Sequence, residues 1–307
     1  GFYPWGKAQR GFGEMKPVTL WRMVPRALPV GFHFPDLKKR GGNLPMEYST
    51  LLFDVREGVA KITLNRPEAL NSINLDMARD LLYAALRCDE DPGVRAVVIH
   101  GAGSQFCAGG DLKTFAGQKE RLPLYLKEVT SYLHAAVSRL IRMDAPVVAA
   151  VHGYAVGAGM GLAMACDVVV ATESSRFNMA YTRVGLTPDG SSTYFLPRIV
   201  GLKRALELAL TNRMLSAQEA FEWGIVTKVV KDEEVLAQAQ SFARQFAAGA
   251  PKALGAAKRL LHSGWTETLE TQMELESQTI AAMAHTSDTL EGISAFLQKR
   301  PPQYKGE

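Results

Sequence analysis

Cysteine is scarce in this sequence, and long apolar runs are absent. The three cysteines, Cys88, Cys107 and Cys166, are an odd number and show no C-x-x-C spacing. This pattern argues against a disulfide framework and a zinc site, and no other residues have metal-ligand spacing. No apolar stretch reaches the roughly 18 residues that a transmembrane helix needs. We therefore expect a soluble cytoplasmic protein without a bound metal and without a membrane span.

Acidic residues are rare in the first 45 positions. These positions hold eight Lys or Arg residues against Glu14 and Asp36, a net charge of +6, whereas the whole chain carries +4. The remainder is therefore net acidic, and the basic charge of the chain does not indicate a nucleic-acid partner. Residues 1–45 also lack hydrophobic periodicity. We interpret them as a flexible or dispensable tail, with a targeting segment or sequence upstream of a start at Met46 as the alternatives.

The rest of the chain alternates between strand and helix patterns. With 307 residues and 47% apolar content, it is long enough for one main domain with appendages. Strands are predicted at 52–55, 59–64, 96–100, 146–151, 168–171 and 176–178, and helices at 75–88 and 122–142. Strands separated by helices favour parallel pairing. Only helices are predicted beyond residue 230, at 233–248, 251–263, 266–284 and 286–299, which divides the chain into a core of residues 46–230 and a helical region of residues 231–307.

Two turns rich in glycine and alanine follow apolar strands. The first ends in Cys107-Ala108-Gly109-Gly110-Asp111, and the second continues from His152 through Gly157-Ala158-Gly159 to Gly161. Small residues at a strand's exit let backbone N–H groups approach a ligand, and two such turns could direct two donors at one developing oxyanion. Either turn taken alone is equally typical of an ordinary connection between a strand and a helix.

These turns occur with two further motifs in a fixed order. Residues 64–71 read Leu-Asn-Arg-Pro-Glu-Ala-Leu-Asn, and residues 291–300 read Glu-Gly-Ile-Ser-Ala-Phe-Leu-Gln-Lys-Arg. Together they resemble the crotonase superfamily, also called the enoyl-CoA hydratase/isomerase family, over residues 47–307. The resemblance implies an α/β crotonase (ClpP-like) spiral of ββα units with a C-terminal helical trimerisation region. It further implies a homotrimer or dimer of trimers that acts on a coenzyme A thioester and holds no permanent cofactor.

The same resemblance assigns the catalytic positions. The backbone N–H groups of Gly110 and Ala158 correspond to the family's oxyanion donors. Family hydratases place two glutamates over the substrate double bond, but Gly161 and Tyr181 occupy those positions here. Because neither is a carboxylate base, water addition by the two-glutamate route is not expected. Tyr181 is expected either to donate a hydrogen bond to the substrate or to form part of the pocket wall.

Asp189 stands after a proline, where family isomerases hold one acidic residue that moves a proton. One carboxylate suffices for a double-bond shift, because the base that removes a proton can return it to another carbon. Spacing alone favours a different role for Asp189, since Asp before Gly-Ser-Ser is an ordinary helix N-cap. The family register favours the proton shuttle. Asp111, just after the first turn, could be catalytic, but we interpret it mainly as a structural residue that caps the following segment or hydrogen-bonds to the backbone of the turn.

Coenzyme A binding is also implied by resemblance. The corresponding positions are Ala69, Leu70, Ala108, Asp111, Leu112, Lys113, Tyr181, Phe296 and Lys299. Lys113 and Lys299 would meet phosphates as point charges, and Phe296 with Lys299 would reach the coenzyme of a neighbouring subunit. Lys299 equally suits a helix C-terminus.

Three functions follow as hypotheses. The first is an acyl-CoA isomerase that shifts a double bond or rearranges a ring epoxide, with Asp189 as the proton shuttle. The second is an enoyl-CoA hydratase or acyl-CoA hydrolase of the same fold. The third is a non-catalytic subunit that binds coenzyme A. His100, His152 and Cys107, which lie beside or within the turns, are interpreted as structural residues.

Overall fold

The computed structural model describes residues 47–307. The predicted tail, residues 1–45, lies outside the described residues, and the proposed divisions at 46 and 230 stay predictions. The strands are β1 (Leu51–Arg56), β2 (Val59–Leu64), β3 (Ala96–Gly101), β4 (Val147–Val151), β5 (Tyr154–Val156), β6 (Val168–Thr172), β7 (Arg176–Asn178), β8 (Leu215–Ser216) and β9 (Lys228–Val230). The α-helices are α1 (Leu75–Glu90), α2 (Leu112–Gly117), α3 (Leu122–Arg142), α4 (Ala158–Met164), α5 (Ser192–Val200), α6 (Leu202–Thr211), α7 (Ala217–Glu222), α8 (Val235–Ala247), α9 (Pro251–Ser263), α10 (Leu269–Met283) and α11 (Ser287–Gln298).

A larger and a smaller sheet organise the core. The larger sheet has the strand order β1-β2-β3-β4-β6-β9, and the smaller one has the order β5-β7-β8. β1 and β2 form an antiparallel hairpin, whereas β2, β3, β4, β6 and β9 pair in parallel. The predicted parallel pairing is therefore confirmed. Because the carboxyl ends of parallel strands lie at one edge, the segments after β3 and β4 meet there.

The central strands are apolar on both faces because both faces are covered. Val98 and Val148 pack with Ala239 of α8 in one buried cluster. Alternate residues, such as Val97 and Val147, belong to the larger core that contains α1 and α3. Since successive side chains point to opposite faces of a strand, this double burial explains the continuous apolar runs in the sequence.

The second glycine-rich turn is shorter than predicted. Helix α4 begins at Ala158, so that Gly159 and Gly161 lie inside a helix rather than in a turn. Gly159 is enclosed there, because an added Cβ would lie 2.4 Å from the carbonyl oxygen of Cys107. Glycine at this position allows the buried helix α4 to approach the first turn closely. The close packing outweighs the low intrinsic helix propensity of glycine.

The C-terminal region is helical, as predicted, from α8 to α11. Helix α10 buries no residue, and α11 buries only Asp288 and Ala295. Large apolar side chains on these two helices are exposed in the single chain: Leu269, Met273, Ile280, Leu290, Ile293, Phe296 and Leu297. The segment 301–307 folds back on α11, where the Asp288 carboxylate accepts hydrogen bonds from the N–H groups of Lys305 and Gly306 at 2.6 and 2.8 Å.

Within residues 47–307, no helix combines the length and the apolarity needed to cross a membrane. The same residues contain no group of three or more His, Cys, Asp or Glu side chains that could hold a metal ion. The three cysteines are buried and free.

Candidate active site

The two small-residue turns are joined to each other by backbone hydrogen bonds. Cys107 N–H donates to the carbonyl of Tyr154 at 3.0 Å, and Val156 N–H donates to the carbonyl of Cys107 at 3.0 Å. Gly109 has a φ of +91°, and an added Cβ would lie 2.7 Å from the Val156 oxygen. Only glycine fits this approach without strain. The first turn and the start of α4 therefore form one hydrogen-bonded unit.

Two backbone N–H groups on this unit have no partner. Those of Gly110 and Ala158 make no hydrogen bond within the part of the chain that the structure describes. Ala158 is the first residue of α4, where helical N–H groups lack intrahelical acceptors. Both residues line a cavity of about 410 Å³. The arrangement presents two donors to one space, which suits the binding of an oxyanion.

Phe115 explains why position 110 is glycine. The Phe115 ring packs against Gly110, and an added Cβ would lie 2.7 and 2.9 Å from two of the ring atoms. The ring itself is buried and meets Tyr125 edge-on, with the centroids 6.0 Å apart. A larger residue at 110 would therefore displace an aromatic side chain that also lines the cavity.

Asp189 lines the same cavity, in the segment that precedes α5. Its Oδ1 accepts a hydrogen bond from the Tyr181 hydroxyl at 2.5 Å. Burial, followed by the negative charge of Asp189, raises the pKa of Tyr181, so the phenol remains a donor at neutral pH. The N-cap interpretation of Asp189 is wrong. Helix α5 has Ser191 at its N-cap and no side-chain capping bond.

Gly161 and Tyr181 are the two positions that the resemblance assigns to the family glutamates. An added Cβ at Gly161 would lie 2.7 Å from the Ser192 hydroxyl and 2.9 Å from the Gly190 carbonyl oxygen. The space that a glutamate side chain would need at position 161 is thus already filled. Tyr181 lines the cavity and donates its hydroxyl to Asp189, so that its ring forms part of the wall while its oxygen contacts the carboxylate.

The positions implied for coenzyme A are dispersed. Ala108 and Leu112 line the cavity, and Leu70 lies beside it, since its carbonyl accepts from the Ala108 N–H at 3.0 Å. Ala69 lies in the 3-10 turn Pro67–Ala69, and Lys113 is exposed on α2. Phe296 is 83% exposed, and Lys299 follows α11; neither is among the residues that line this cavity.

Asp111 is turned away from the cavity. Its carboxylate caps α2 by accepting from the Thr114 N–H at 2.9 Å, and it forms an ion pair with Arg66 at 2.8 Å. Burial acts to raise the pKa of Asp111, but the bonds from Thr114 and Arg66 outweigh it, and the net pKa is lowered. The Asp111 side chain thus braces the first turn, as its interpretation as a cap predicts.

Three residues near the turns have structural roles. Burial raises the pKa of Cys107 to about 12, so the thiol is not poised as a nucleophile. His100 Nε2 lies 2.8 Å from the Thr63 hydroxyl, and His152 Nε2 lies 3.1 Å from the Gly103 carbonyl oxygen. These contacts agree with the structural interpretation of both histidines.

Sequence reasoning missed His134, a residue of α3. Gly190, the residue immediately after Asp189, donates its N–H to His134 Nε2 at 3.1 Å. The two partners are 56 positions apart in sequence, and no motif marks the histidine. Only the packing of α3 beside the segment before α5 brings them together.

Comparison with known proteins places the chain in a family. Residues 54–307 match the family model described as enoyl-CoA hydratase/isomerase. The chain is 40% identical to 1,2-epoxyphenylacetyl-CoA isomerase of Escherichia coli (strain K12), over 84% of this chain and 98% of that protein. It is 36% identical to 4-chlorobenzoyl coenzyme A dehalogenase-2 of Arthrobacter sp, over 79% and 88%.

A solved structure gives the same fold. The crystal structure of a putative enoyl-CoA hydratase from Streptomyces coelicolor A3(2) superposes with a TM-score of 0.83 at 32% identity, covering 88% of this chain and 99% of that one. These relatives are named as an isomerase, a dehalogenase and a hydratase. They therefore share one family but differ in the reaction that they are named for. The chain belongs to the enoyl-CoA hydratase/isomerase family and is a crotonase-fold enzyme of coenzyme A thioesters.

Proposed function

We propose that this protein is an acyl-CoA isomerase that uses one carboxylate, Asp189, as a proton shuttle. The observation that carries the proposal is that Asp189 is the sole acidic residue, among the described residues, in the wall of the cavity that also holds Gly110 and Ala158. One acid beside two oxyanion donors suits a proton shift, which needs a base and a stabilised enolate and nothing more.

The proposed reaction is a proton transfer within one allylic system. Asp189 takes a proton from C2 of a 3-enoyl thioester, and the electron pair delocalises onto the thioester oxygen. The N–H groups of Gly110 and Ala158 bind that oxyanion. The protonated Asp189 then returns its proton at C4 while the double bond moves to C2–C3, which regenerates the carboxylate. Rearrangement of a ring epoxide in an aromatic acyl-CoA is the second form of this proposal, favoured by the isomerase named among the relatives.

The surroundings of Gly161 support isomerisation over hydration. A second carboxylate at this position would have to displace the Ser192 hydroxyl and the Gly190 carbonyl. Ser192 is fully buried, and Gly190 directly follows Asp189 in the chain. A hydratase with two acids would thus need a different packing of the segment that holds the proposed base.

The test is incubation with 3-enoyl-CoA and 2-enoyl-CoA in deuterated water, alongside the Asp189→Asn variant. We expect bond migration with deuterium uptake in the parent and loss of both in the folded variant. Hydration of the 2-enoyl thioester that survives in Asp189→Asn would overturn the proposal in favour of a hydratase. If neither thioester reacts, a ring-epoxide substrate is tested next. Its failure as well would favour a non-catalytic binding role.

We also propose that coenzyme A binds by its phosphates near Lys113, with Ala69, Leu70, Ala108 and Leu112 along its path. Charge attraction predicts that the KM for an acyl-CoA rises with salt and rises in Lys113→Ala. The matched control substrate is the acyl-pantetheine, which lacks the nucleotide phosphates. Its KM should not respond to the Lys113 substitution, and an equal response of both substrates would contradict the assignment. No permanently bound cofactor is proposed.

The exposed apolar faces of α10 and α11 support a homotrimer or dimer of trimers. In that assembly Phe296 and Lys299 would reach a neighbouring subunit's coenzyme. Light scattering should give three or six chains, and Ile280→Asp with Leu290→Asp should shift the population toward monomers. A monomeric parent would contradict the proposal. A cytoplasmic location likewise remains a proposal, to be tested by cell fractionation.

A further inference from the structure

The peptide N–H group that follows Asp189, the proposed base, is hydrogen-bonded to His134, a residue without a role in the proposed proton transfer. Gly190 N–H donates to His134 Nε2 at 3.1 Å. His134 is exposed on α3 and lines a second cavity of about 860 Å³, whose wall also includes Asp189. Because Nε2 accepts a hydrogen bond, the neutral ring must carry its proton on Nδ1.

Gly190 lies between the proposed base and one proposed oxyanion donor. It is buried, has a φ of +57°, and an added Cβ would lie 3.9 Å from the Cα of Ala158. Its carbonyl oxygen approaches Gly161. A displacement of this peptide would therefore move the Asp189 carboxylate relative to the Ala158 N–H group. Displacements of about 1 Å in a reacting group can cost on the order of 100-fold in rate.

We propose that His134 is a positioning residue, whose neutral imidazole fixes the Gly190 peptide and thereby the place of Asp189 relative to Ala158. This inference rests on the proposed role of Asp189 as the base. His134 acts through Gly190 and does not itself take the substrate's proton.

The proposed role requires the neutral ring. A doubly protonated imidazole has donors at both nitrogens and cannot accept from the Gly190 N–H group. Charged and titratable groups on each element around the second cavity share its wall with His134: Asp189, Tyr194 of α5, Arg259 and His262 of α9, and Arg142 of α3 itself.

Two substitutions at position 134 test whether the hydrogen-bond acceptor at the place of Nε2 matters, or only the polarity of the side chain. His134→Gln keeps an amide oxygen near the place of Nε2, whereas the shorter side chain of His134→Asn does not reach it. We expect kcat to fall on the order of 10-fold to 100-fold in His134→Asn with little change in KM, and to stay within about threefold in His134→Gln.

Two readouts do not depend on activity. Nitrogen-15 NMR of the histidines should give the Nδ1–H tautomer for His134 in the parent at neutral pH. Hydrogen exchange of the peptide containing Gly190 should be faster in His134→Asn than in His134→Gln. A parent that isomerises no substrate would contradict the proposed function, while these two measurements would still test the hydrogen bond. An Nε2–H tautomer, or equal kcat and equal exchange in the two variants, would overturn the inference.

Discussion

The Tyr181 hydroxyl donates to Asp189 Oδ1 at 2.5 Å, so one oxygen of the proposed base is bound by the protein. Because the raised pKa of Tyr181 keeps the phenol protonated, it cannot compete with Asp189 for the substrate's proton at neutral pH. The other carboxylate oxygen has no hydrogen bond within the described residues. In the proposed mechanism, Oδ1 is therefore the oxygen that orients the carboxylate, and Oδ2 is free to take the substrate's proton.

Removing the Tyr181 hydroxyl should impair the proposed isomerase. A hydrogen bond to a charged group contributes about 1.5–3 kcal/mol, which corresponds to a fall in kcat of about 10-fold to 100-fold in Tyr181→Phe. Steady-state kinetics on 3-enoyl-CoA measure this effect. The control is Tyr83→Phe on α1, outside the cavity, which should keep parental kcat. Parental kcat in Tyr181→Phe would mean that the contact does not orient the base.

Gly110→Ala should reduce activity without unfolding the protein. The added Cβ would lie 2.7 Å from the Phe115 ring, so either the ring or the first turn must move. Loss of one oxyanion donor costs roughly 100-fold to 1000-fold in kcat, and displacement of that donor should approach this range. Gly117→Ala is the matched control, because nothing lies within 4 Å of its added Cβ.

The double variant Gly110→Ala with Phe115→Leu distinguishes steric displacement from other causes. A smaller side chain at 115 leaves space for the added methyl group and should restore part of the lost kcat. If the double variant is no more active than Gly110→Ala alone, displacement by the Phe115 ring is not the reason for the loss.

Lys258→Met should destabilise the fold substantially. Lys258 is buried on α9, and its Nζ donates to the Asp167 carboxylate and to the Leu140 carbonyl, both at 2.7 Å. The substitution leaves the Leu140 carbonyl without its buried donor, while Asp167 is exposed and keeps its bond from the Val147 N–H, so we expect a loss of about 1–3 kcal/mol. Urea unfolding measures the change. Lys252→Met, at an exposed position of the same helix, should stay within about 0.5 kcal/mol of the parent.

His100 should make the fold sensitive to acid. Burial, with a smaller effect of Lys61, lowers the pKa of His100 from 6.5 to about 4. A lowered histidine pKa contributes stability that is present above pH 6.5 and is lost as the pH falls toward 4. From about pH 7 to pH 5, this group should remove about 1–2 kcal/mol from the free energy of unfolding.

The measurement for His100 is urea unfolding at both pH values. His100→Gln keeps a polar group near Thr63 but does not titrate, so its loss of stability between about pH 7 and pH 5 should be smaller by that amount. His285→Gln, at an exposed position after α10, should retain the parental pH dependence. Equal pH dependence in His100→Gln and the parent would contradict the role of His100.

The sequence is informative where periodicity is strong. The long helices α1 and α3 and the buried strands β3 and β4 have clear apolar patterns, and the structure matches them within a few residues. Short elements give weaker signals. Strands β8 and β9 have only two and three residues, and the pairing of Phe177 with Leu215 that defines β8 is a long-range contact. The start of helix α4 escapes prediction because its glycines reflect close packing and not a turn.

The candidate site shows the same limit. The turns around Gly110 and Ala158 could be identified from their small residues and the family register, because backbone donors need only space. The partners of Asp189 could not be identified in this way. Tyr181 is separated from Asp189 by a short 3-10 helix and a loop, and His134 contacts the residue after Asp189 from a distant helix. Such contacts depend on how separate elements pack, and no local pattern encodes them.

The folded-back segment 301–307 has a practical consequence for the design of fusion proteins. The Glu307 carbonyl accepts from the Ser287 hydroxyl at 3.1 Å, next to the bonds that Asp288 accepts from Lys305 and Gly306. Any polypeptide fused after Glu307 would emerge beside the first turn of α11 and compete for these contacts. An affinity tag attached after Glu307 should therefore be separated from it by a flexible spacer.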